Sequence, residues 1–333
     1  VIKMTRQRIM SGMRPTGTLH LGNYFGALEN WVKLQNDYEC FFSIVDWHGL
    51  TTGYEDTSEF RNNIMEIAID WLSAGLDPEK CTIFVQSNVK EIAELHLLLS
   101  MIVPLSWLER CPTYKEQLSQ LTEKNITTYG FLGYPNLMAA DILVHKGNFV
   151  PVGEDQQPHL ELAREIARRF NYMYGDTFPE PQGKMTKIKV LPGLDGRKMS
   201  KSYDNTIAMS DSPDTIREKI RQMITDAEKI KKNDPGHPDI CAVYAFHKVF
   251  SENTHQETYD VCKTGGIGCV QCKKVLAENV VQYMAPMYER RQKLLGNKEA
   301  ILEILREGTR HAREEARETI KEVREKMKML ELE

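Results

Sequence analysis

Apolar residues in the first half of the chain come in short runs separated by longer amphipathic stretches. Residues 40–45, Cys81–Val85 and Phe149–Val152 stay mostly apolar on both faces, as buried parallel strands do. The segment from Gln7 to Met10 leads into a Gly/Pro turn. Residues 22–34 have helical character, as do residues 158–170 after the last run. Another helix, capped at Thr57 or Ser58, is expected to run to Ala74 and stop at Gly75. Strands alternating with helices predict an α/β fold with a parallel sheet covered on both faces.

After about Thr206 the strand runs cease and the segments become helical and more charged. Near the end, Leu305, Ala312, Ala316, Ile320, Val323, Met327 and Leu330 form one apolar stripe at helical spacing. That stripe predicts a docking helix. The expected organisation is therefore an α/β unit over residues 1–205, a helical unit over 206–300, and a terminal helix over 301–333 that packs back on the first unit.

The chain has 333 residues, 41% hydrophobic and 27% charged, enough for two cores. The net charge of −4 excludes a global basic field, so any nucleic-acid contact must use local patches. No apolar run approaches a membrane span, and the first ten residues lack a signal-peptide core. A cytoplasmic protein without membrane contact is the expectation. Seven cysteines are many for such a protein. Cys40 and Cys81 open strand-like runs and are read as buried thiols. Cys241, Cys262, Cys269 and Cys272 are spaced C-x20-C-x6-C-x2-C, which in a reducing compartment suggests a metal rather than disulfides. Gly265, Gly266 and Gly268 permit tight turns there. Zinc and a [4Fe-4S] cluster both accept four thiolates.

Two further segments carry chemistry. Lys198-Met199-Ser200-Lys201-Ser202 ends a stretch, from Lys184, with six Lys/Arg and a single acid, Asp195. Far upstream, Thr18-Leu19-His20-Leu21-Gly22-Asn23 follows the turn Gly12-Met13-Arg14-Pro15-Thr16-Gly17. Together, in this order, they resemble the two signatures of class I aminoacyl-tRNA synthetases, HIGH (here His20-Leu21-Gly22-Asn23) and KMSKS. The reaction implied is attack of an amino-acid carboxylate on the α-phosphorus of ATP. The nucleophile is already charged, so catalysis is positioning plus stabilisation of phosphoryl charge. His20 and Asn23 can donate to phosphates, and Gly22 allows close approach. The N–H groups of the helix starting there are expected to face the anion. Lys198 and Lys201 can meet the pyrophosphate, on a loop that Gly193 and Gly196 leave able to close.

Between the signatures, Pro135 suits a helix start. Met138 and Asp141 then share a face, an arrangement suited to a flat apolar ring with one N–H, such as indole. With Ile44-Val45-Asp46-Trp47-His48, Met138-Ala139-Ala140-Asp141 and Gly153-Glu154-Asp155-Gln156, the chain from about Arg8 to Leu330 resembles the bacterial tryptophanyl-tRNA synthetases. This implies a Rossmann-like catalytic domain, a helical domain that recognises the anticodon of tRNA(Trp), and a homodimer using L-tryptophan and ATP with Mg2+. It implies that Asp141 accepts the indole N–H and Met138 packs on the ring, while His48, Gln156 and Tyr134 complete the tryptophan site. Arg14, Pro15, Thr16, Gly153, Glu154 and Asp155 would face ATP along with the KMSKS residues Met199, Ser200 and Ser202, and Lys115 would reach the phosphates. Arg14 and Met10 stand where the family has Gln and Phe. A subset of the family carries [4Fe-4S] on a similar C-x6-C-x2-C core. Tyrosine is the second candidate substrate. A tRNA-independent nucleotidyltransferase and a nucleic-acid-binding metalloprotein are the alternatives outside the family.

Overall fold

The structure, a computed structural model, describes residues 6–112, 114–115, 127–153, 156–185 and 189–332. Five strands form one parallel sheet: β1 (Arg8–Met13), β2 (Glu39–Ile44), β3 (Cys81–Val85), β4 (Phe149–Val152) and β5 (Gln182–Met185), in the order β3-β2-β1-β4-β5. The apolar runs at 40–45, Cys81–Val85 and Phe149–Val152 are strands, as expected. Cys40 and Cys81 lie in register on neighbouring strands, and burial pushes both thiols up to about 12. β5 had no hydrophobic signal, because Gln182-Gly183-Lys184 reads as a loop.

Residues 22–34 are helical, but Tyr24–Leu28 forms a π-type turn between Leu21–Asn23 and Glu29–Leu34. The helix expected from Thr57 or Ser58 starts later, at Phe60, and ends at Ala74 with Gly75 left-handed (φ 113°). The Asp56 carboxylate accepts from the Ser58 N–H at 2.9 Å, which holds the preceding residues in a turn and delays the helix.

The terminal helix, Lys298–Lys326, buries Ile301, Leu305, Ala312, Ala316, Ile320 and Val323. Leu330 falls off the stripe. The helix stops four residues earlier and Lys328 takes φ 57°, so Leu330 is exposed. This helix lies along the outer edge of β3: a Cβ on Gly308 would sit 1.9 Å from the Ile83 carbonyl oxygen. Thr82 Oγ1 also meets His311 Nδ1 at 2.8 Å. Past Thr206 no strand occurs among the described residues, only helices, the longest being Cys269–Leu295 and Lys298–Lys326. One buried apolar cluster runs from Ile9, Leu21 and Phe25 to Phe246, Phe250 and Met284, with Phe25 5.6 Å from Phe250 and 5.8 Å from Tyr283. The helical region thus seats directly on the first signature's helix. Among the described residues no helix is long and apolar enough to cross a membrane.

Candidate active site

In open parallel sheets, ligands bind beyond the carboxyl ends of the strands, where the strand order reverses. Here β1 lies between β2 and β4. Three strand ends hand the chain to polar residues, Arg14 after β1, Asp46 and His48 after β2 and Gln86 after β3, and Gly153 follows β4. A cavity of about 470 Å³ opens there. Its walls include Met10, Arg14, Trp31, His48, Tyr134, Met138, Asp141, Gly153, Gln156 and His159.

Asp141 is 4% exposed on the helix Tyr134–Val144, which starts with Pro135 in its first turn. Gln86 Nε2 donates to both carboxylate oxygens, at 2.8 and 2.9 Å. His48 Nε2 lies 2.9 Å from Oδ2. An ionised carboxylate only accepts, so that ring carries its proton on Nε2. Gln86 is held in turn, because its Oε1 accepts from the Trp47 N–H at 3.0 Å. A carboxylate has about four lone-pair sites, so Asp141 keeps capacity for one more donor from the cavity. Gln86 escaped sequence reasoning. Its only signal was its position, one residue past the end of an apolar strand. Tyr134 hydrogen-bonds His159 Nε2 at 2.7 Å, another pairing the sequence did not reveal.

The two signatures meet. Gly22 N–H points at Met199 Sδ, 3.3 Å away, and Lys201 Nζ donates to the Thr16 carbonyl at 2.7 Å. His20 caps the helix. Its Nδ1 accepts from the Asn23 N–H at 3.3 Å while Asn23 Oδ1 accepts from the His20 N–H at 3.1 Å. Burial, reinforced by Lys201, lowers the His20 pKa to about 4. The ring is therefore neutral, with Nδ1 accepting and Nε2 left as the donor. The expectation that this helix aims its N–H groups at an anion is corrected: Leu21 N–H bonds the Ile207 carbonyl at 2.9 Å, and those of Gly22 and Asn23 are engaged as above. Donation falls to side chains instead. Gly22 is glycine because a Cβ would come 2.9 Å from the His20 ring.

Asn205 shapes the KMSKS loop. It is 2% exposed, donates to the Lys198 carbonyl at 3.1 Å and to Asp195 at 2.7 Å, and accepts from the Ser200 N–H at 2.8 Å. A Cβ on Gly193 would lie 2.1 Å from its amide nitrogen, and Gly196 is left-handed (φ 78°). Ser200 and Ser202 hydroxyls are 2.9 Å apart. Pro15 packs beside Gly49. Lys115 is exposed and is not among the cavity's lining residues. Glu154 and Asp155 lie outside the described residues.

Cys241, Cys262, Cys269 and Cys272 do converge, around a small cavity of about 20 Å³ also lined by Lys229, His237 and Asp226. They are not disulfide-bonded. Burial, then the neighbouring thiols, pushes Cys272 up to about 12. Gly265 is left-handed (φ 74°), and a Cβ on Gly236 would come 2.6 Å from Cys262 Sγ. Cys272 Sγ lies 3.4 Å from His247 Nε2.

Residues 3–285 match the family model described as tRNA synthetases class I (W and Y). A tryptophan–tRNA ligase of Thermotoga maritima is 50% identical over 97% of this chain and 99% of its own length. One from Aquifex aeolicus is 44% identical over 97% and 100%. Among solved structures, tryptophanyl-tRNA synthetase from Campylobacter jejuni, complexed with ADP and tryptophan, superposes with a TM-score of 0.89 at 35% identity, covering 97% of this chain and all of that one. A parallel sheet with its cavity at the strand ends, two signatures in contact and full-length similarity at this level together mean that the chain belongs to the tryptophanyl-tRNA synthetase family of class I tRNA synthetases.

Proposed function

We infer that the chain is a tryptophan–tRNA ligase. It activates L-tryptophan with ATP to tryptophanyl-adenylate and pyrophosphate, then transfers tryptophan to tRNA(Trp). The observation that carries the specificity is Asp141, a buried carboxylate held by Gln86 and His48 at 2.8–2.9 Å in a largely apolar cavity. It accepts the indole N–H while Met138 packs on the ring. His48, Tyr134 and Gln156 complete the tryptophan site. In activation the tryptophan carboxylate forms a bond to the α-phosphorus, and the bond from that phosphorus to the β-phosphate bridging oxygen breaks. Mg2+ arrives with ATP and neutralises phosphate oxygens. Neutral His20 donates through Nε2, with Asn23 beside it. Lys198 and Lys201 take up the charge on the departing pyrophosphate. Arg14, Pro15, Thr16, Gly22, Gly153, Glu154, Asp155, Met199, Ser200 and Ser202 surround the nucleotide, and Lys115 approaches the phosphates. In the second step a terminal ribose hydroxyl of the tRNA attacks the acyl carbon and AMP leaves.

ATP–pyrophosphate exchange with each of the twenty amino acids tests this. Exchange driven by tryptophan supports it; exchange driven by tyrosine transfers the cavity to the other substrate. No exchange at all leaves only a binding protein.

Residues 206–300 take the anticodon, while the terminal helix completes the catalytic unit. The active form is a homodimer, supported by Leu97, Met101 and Leu105, which stand 54%, 67% and 63% exposed at four-residue intervals. Its reduced cysteines suit the cytoplasm. Cys241, Cys262, Cys269 and Cys272 fit a [4Fe-4S] cluster. The four thiols line one cavity, and Gly236 and the left-handed Gly265 bring the backbone close beside them. The cluster would stabilise the helical region by tying its segments together. About four irons per chain and a brown colour after anaerobic purification support this reading. About one zinc per chain and no visible absorption replace it. Cys269→Ser spares tryptophan activation more than tRNA charging if the role is confined to that region.

A further inference from the structure

Behind the first signature lies a buried ion pair that none of the roles above uses. Asp70, on the helix Phe60–Ala74, is 0% exposed. Its Oδ2 accepts from the Leu19 N–H at 2.7 Å, one residue before His20. Its Oδ1 accepts from Arg291 Nη1, while Arg291 Nη2 donates to Glu66. Arg291, 4% exposed, belongs to the helix Cys269–Leu295. Cys269 and Cys272 occupy that helix's first turn, roughly 30 Å away along its axis.

On its opposite side the same turn is held by the segment after KMSKS. Met209 N–H bonds the Leu19 carbonyl at 2.8 Å and Leu21 N–H bonds the Ile207 carbonyl at 2.9 Å. The backbone carrying His20 is therefore clamped between Asp70 and residues 207–209. The Asp70 charge also reaches the KMSKS loop, where it opposes the lowering of the Lys201 pKa by burial. A buried ion pair is a poor device for stability, since well-packed apolar residues of similar volume do as well or better. Dividing one carboxylate between a backbone N–H and a remote guanidinium instead specifies geometry.

We propose that Asp70 is a positioning residue for adenylate formation: it fixes the turn that presents His20, and its counter-charge Arg291 comes from the helix that begins at Cys269, so the turn follows the seating of the helical region. The proposal rests on the ligase reading. Two measurements keep them separable: tryptophan-dependent exchange by the parent chain tests the reading, and comparison of variant with parent tests Asp70.

The decisive variant is Asp70→Leu combined with Arg291→Leu, which removes both fully buried charges and leaves only the part-exposed Glu66, whose carboxylate water can reach. Folded protein is expected to show kcat for exchange reduced about tenfold or more, with KM for tryptophan within about twofold, because the Asp141 cavity does not touch Asp70. Amide hydrogen exchange in residues 17–23 should rise by at least about tenfold, whatever the catalytic result. If kcat for exchange matches the parent in the folded double variant, the proposal is wrong, whether or not that protection changes. Should the double variant fail to fold, Arg291→Lys decides. It keeps the buried cation but not the guanidinium fork, and a severalfold loss in kcat with tryptophan KM unchanged is expected; parental kcat overturns the idea.

Discussion

The cavity proposed for tryptophan and the corner proposed for the phosphates are built in opposite ways. The cavity's polar group is fixed by buried, mutually bonded side chains: Asp141 on the helix Tyr134–Val144, with Gln86 and His48 just after strands β3 and β2. The phosphate corner is assembled from segments about 180 residues apart, joined by Gly22 to Met199 and by Lys201 to Thr16. Its lysine contact is exposed to solvent and its loop carries a left-handed glycine. A site closed in advance selects its ligand before chemistry begins. One made by docking two loops acts when charge develops. Cavity substitutions should therefore appear in tryptophan recognition, and loop substitutions in turnover.

The largest expected effect lies in the corner. Lys201→Ala should lower kcat for activation about 10²-fold or more, while tryptophan KM changes little. A pure rise in tryptophan KM would erase the distinction between the regions. Next comes the cavity. Asp141→Ala removes the acceptor for the indole N–H and should cost roughly 1–3 kcal/mol in tryptophan recognition, read as kcat/KM for tryptophan. Wild-type activation of tryptophan by this variant would discard the assignment. Asn205→Ala tests whether the corner depends on loop geometry rather than on lysine charge alone. It withdraws the bonds to the Lys198 carbonyl and Ser200 N–H, and a loss of about tenfold in kcat is expected. Unchanged turnover would make the lysines sufficient.

The smallest effect is spectroscopic. His20, held neutral by burial and Lys201, should titrate by NMR at about 4 rather than at 6.5. Because its folded-state value is depressed, the stability that His20 contributes is fully present above pH 6.5 and is lost as pH falls toward 4. A midpoint near 6.5 would mean that the ring is not desolvated in the corner.

The sequence disclosed those parts in which chemistry and periodicity coincide. Apolar runs gave three of the five strands, and the stripe from Leu305 to Val323 gave the terminal helix. The structure brings KMSKS to the His20–Asn23 turn and sets Met138 and Asp141 on one cavity wall, placements that their residue types suggested. β5 was hidden because Gln182-Gly183-Lys184 pairs through its backbone to β4, and main-chain bonding leaves no hydrophobic trace. Gln86, Asn205 and the Asp70–Arg291 pair were hidden for another reason. Their partners lie 55, 7 and 221 positions away, and a single polar residue does not announce a distant partner. The N–H groups after His20 were misread because helix termini commonly bind anions. In the fold, Ile207, Met199 and His20 itself already occupy them.

The terminal helix lying along β3 has a consequence for how the chain is made. An uncovered strand edge presents unused backbone groups to any other strand, in the same molecule or another. β3 is complete once Val85 has left the ribosome, yet the glycine that allows its cover to seat, Gly308, is more than two hundred residues further on. At about 5–20 residues per second, that edge waits ten seconds or more on a growing chain. During synthesis the protein therefore passes through a long interval in which its sheet is open to association. Shortening the chain before Gly308 would make that interval permanent, producing a protein prone to aggregate before its chemistry could be measured.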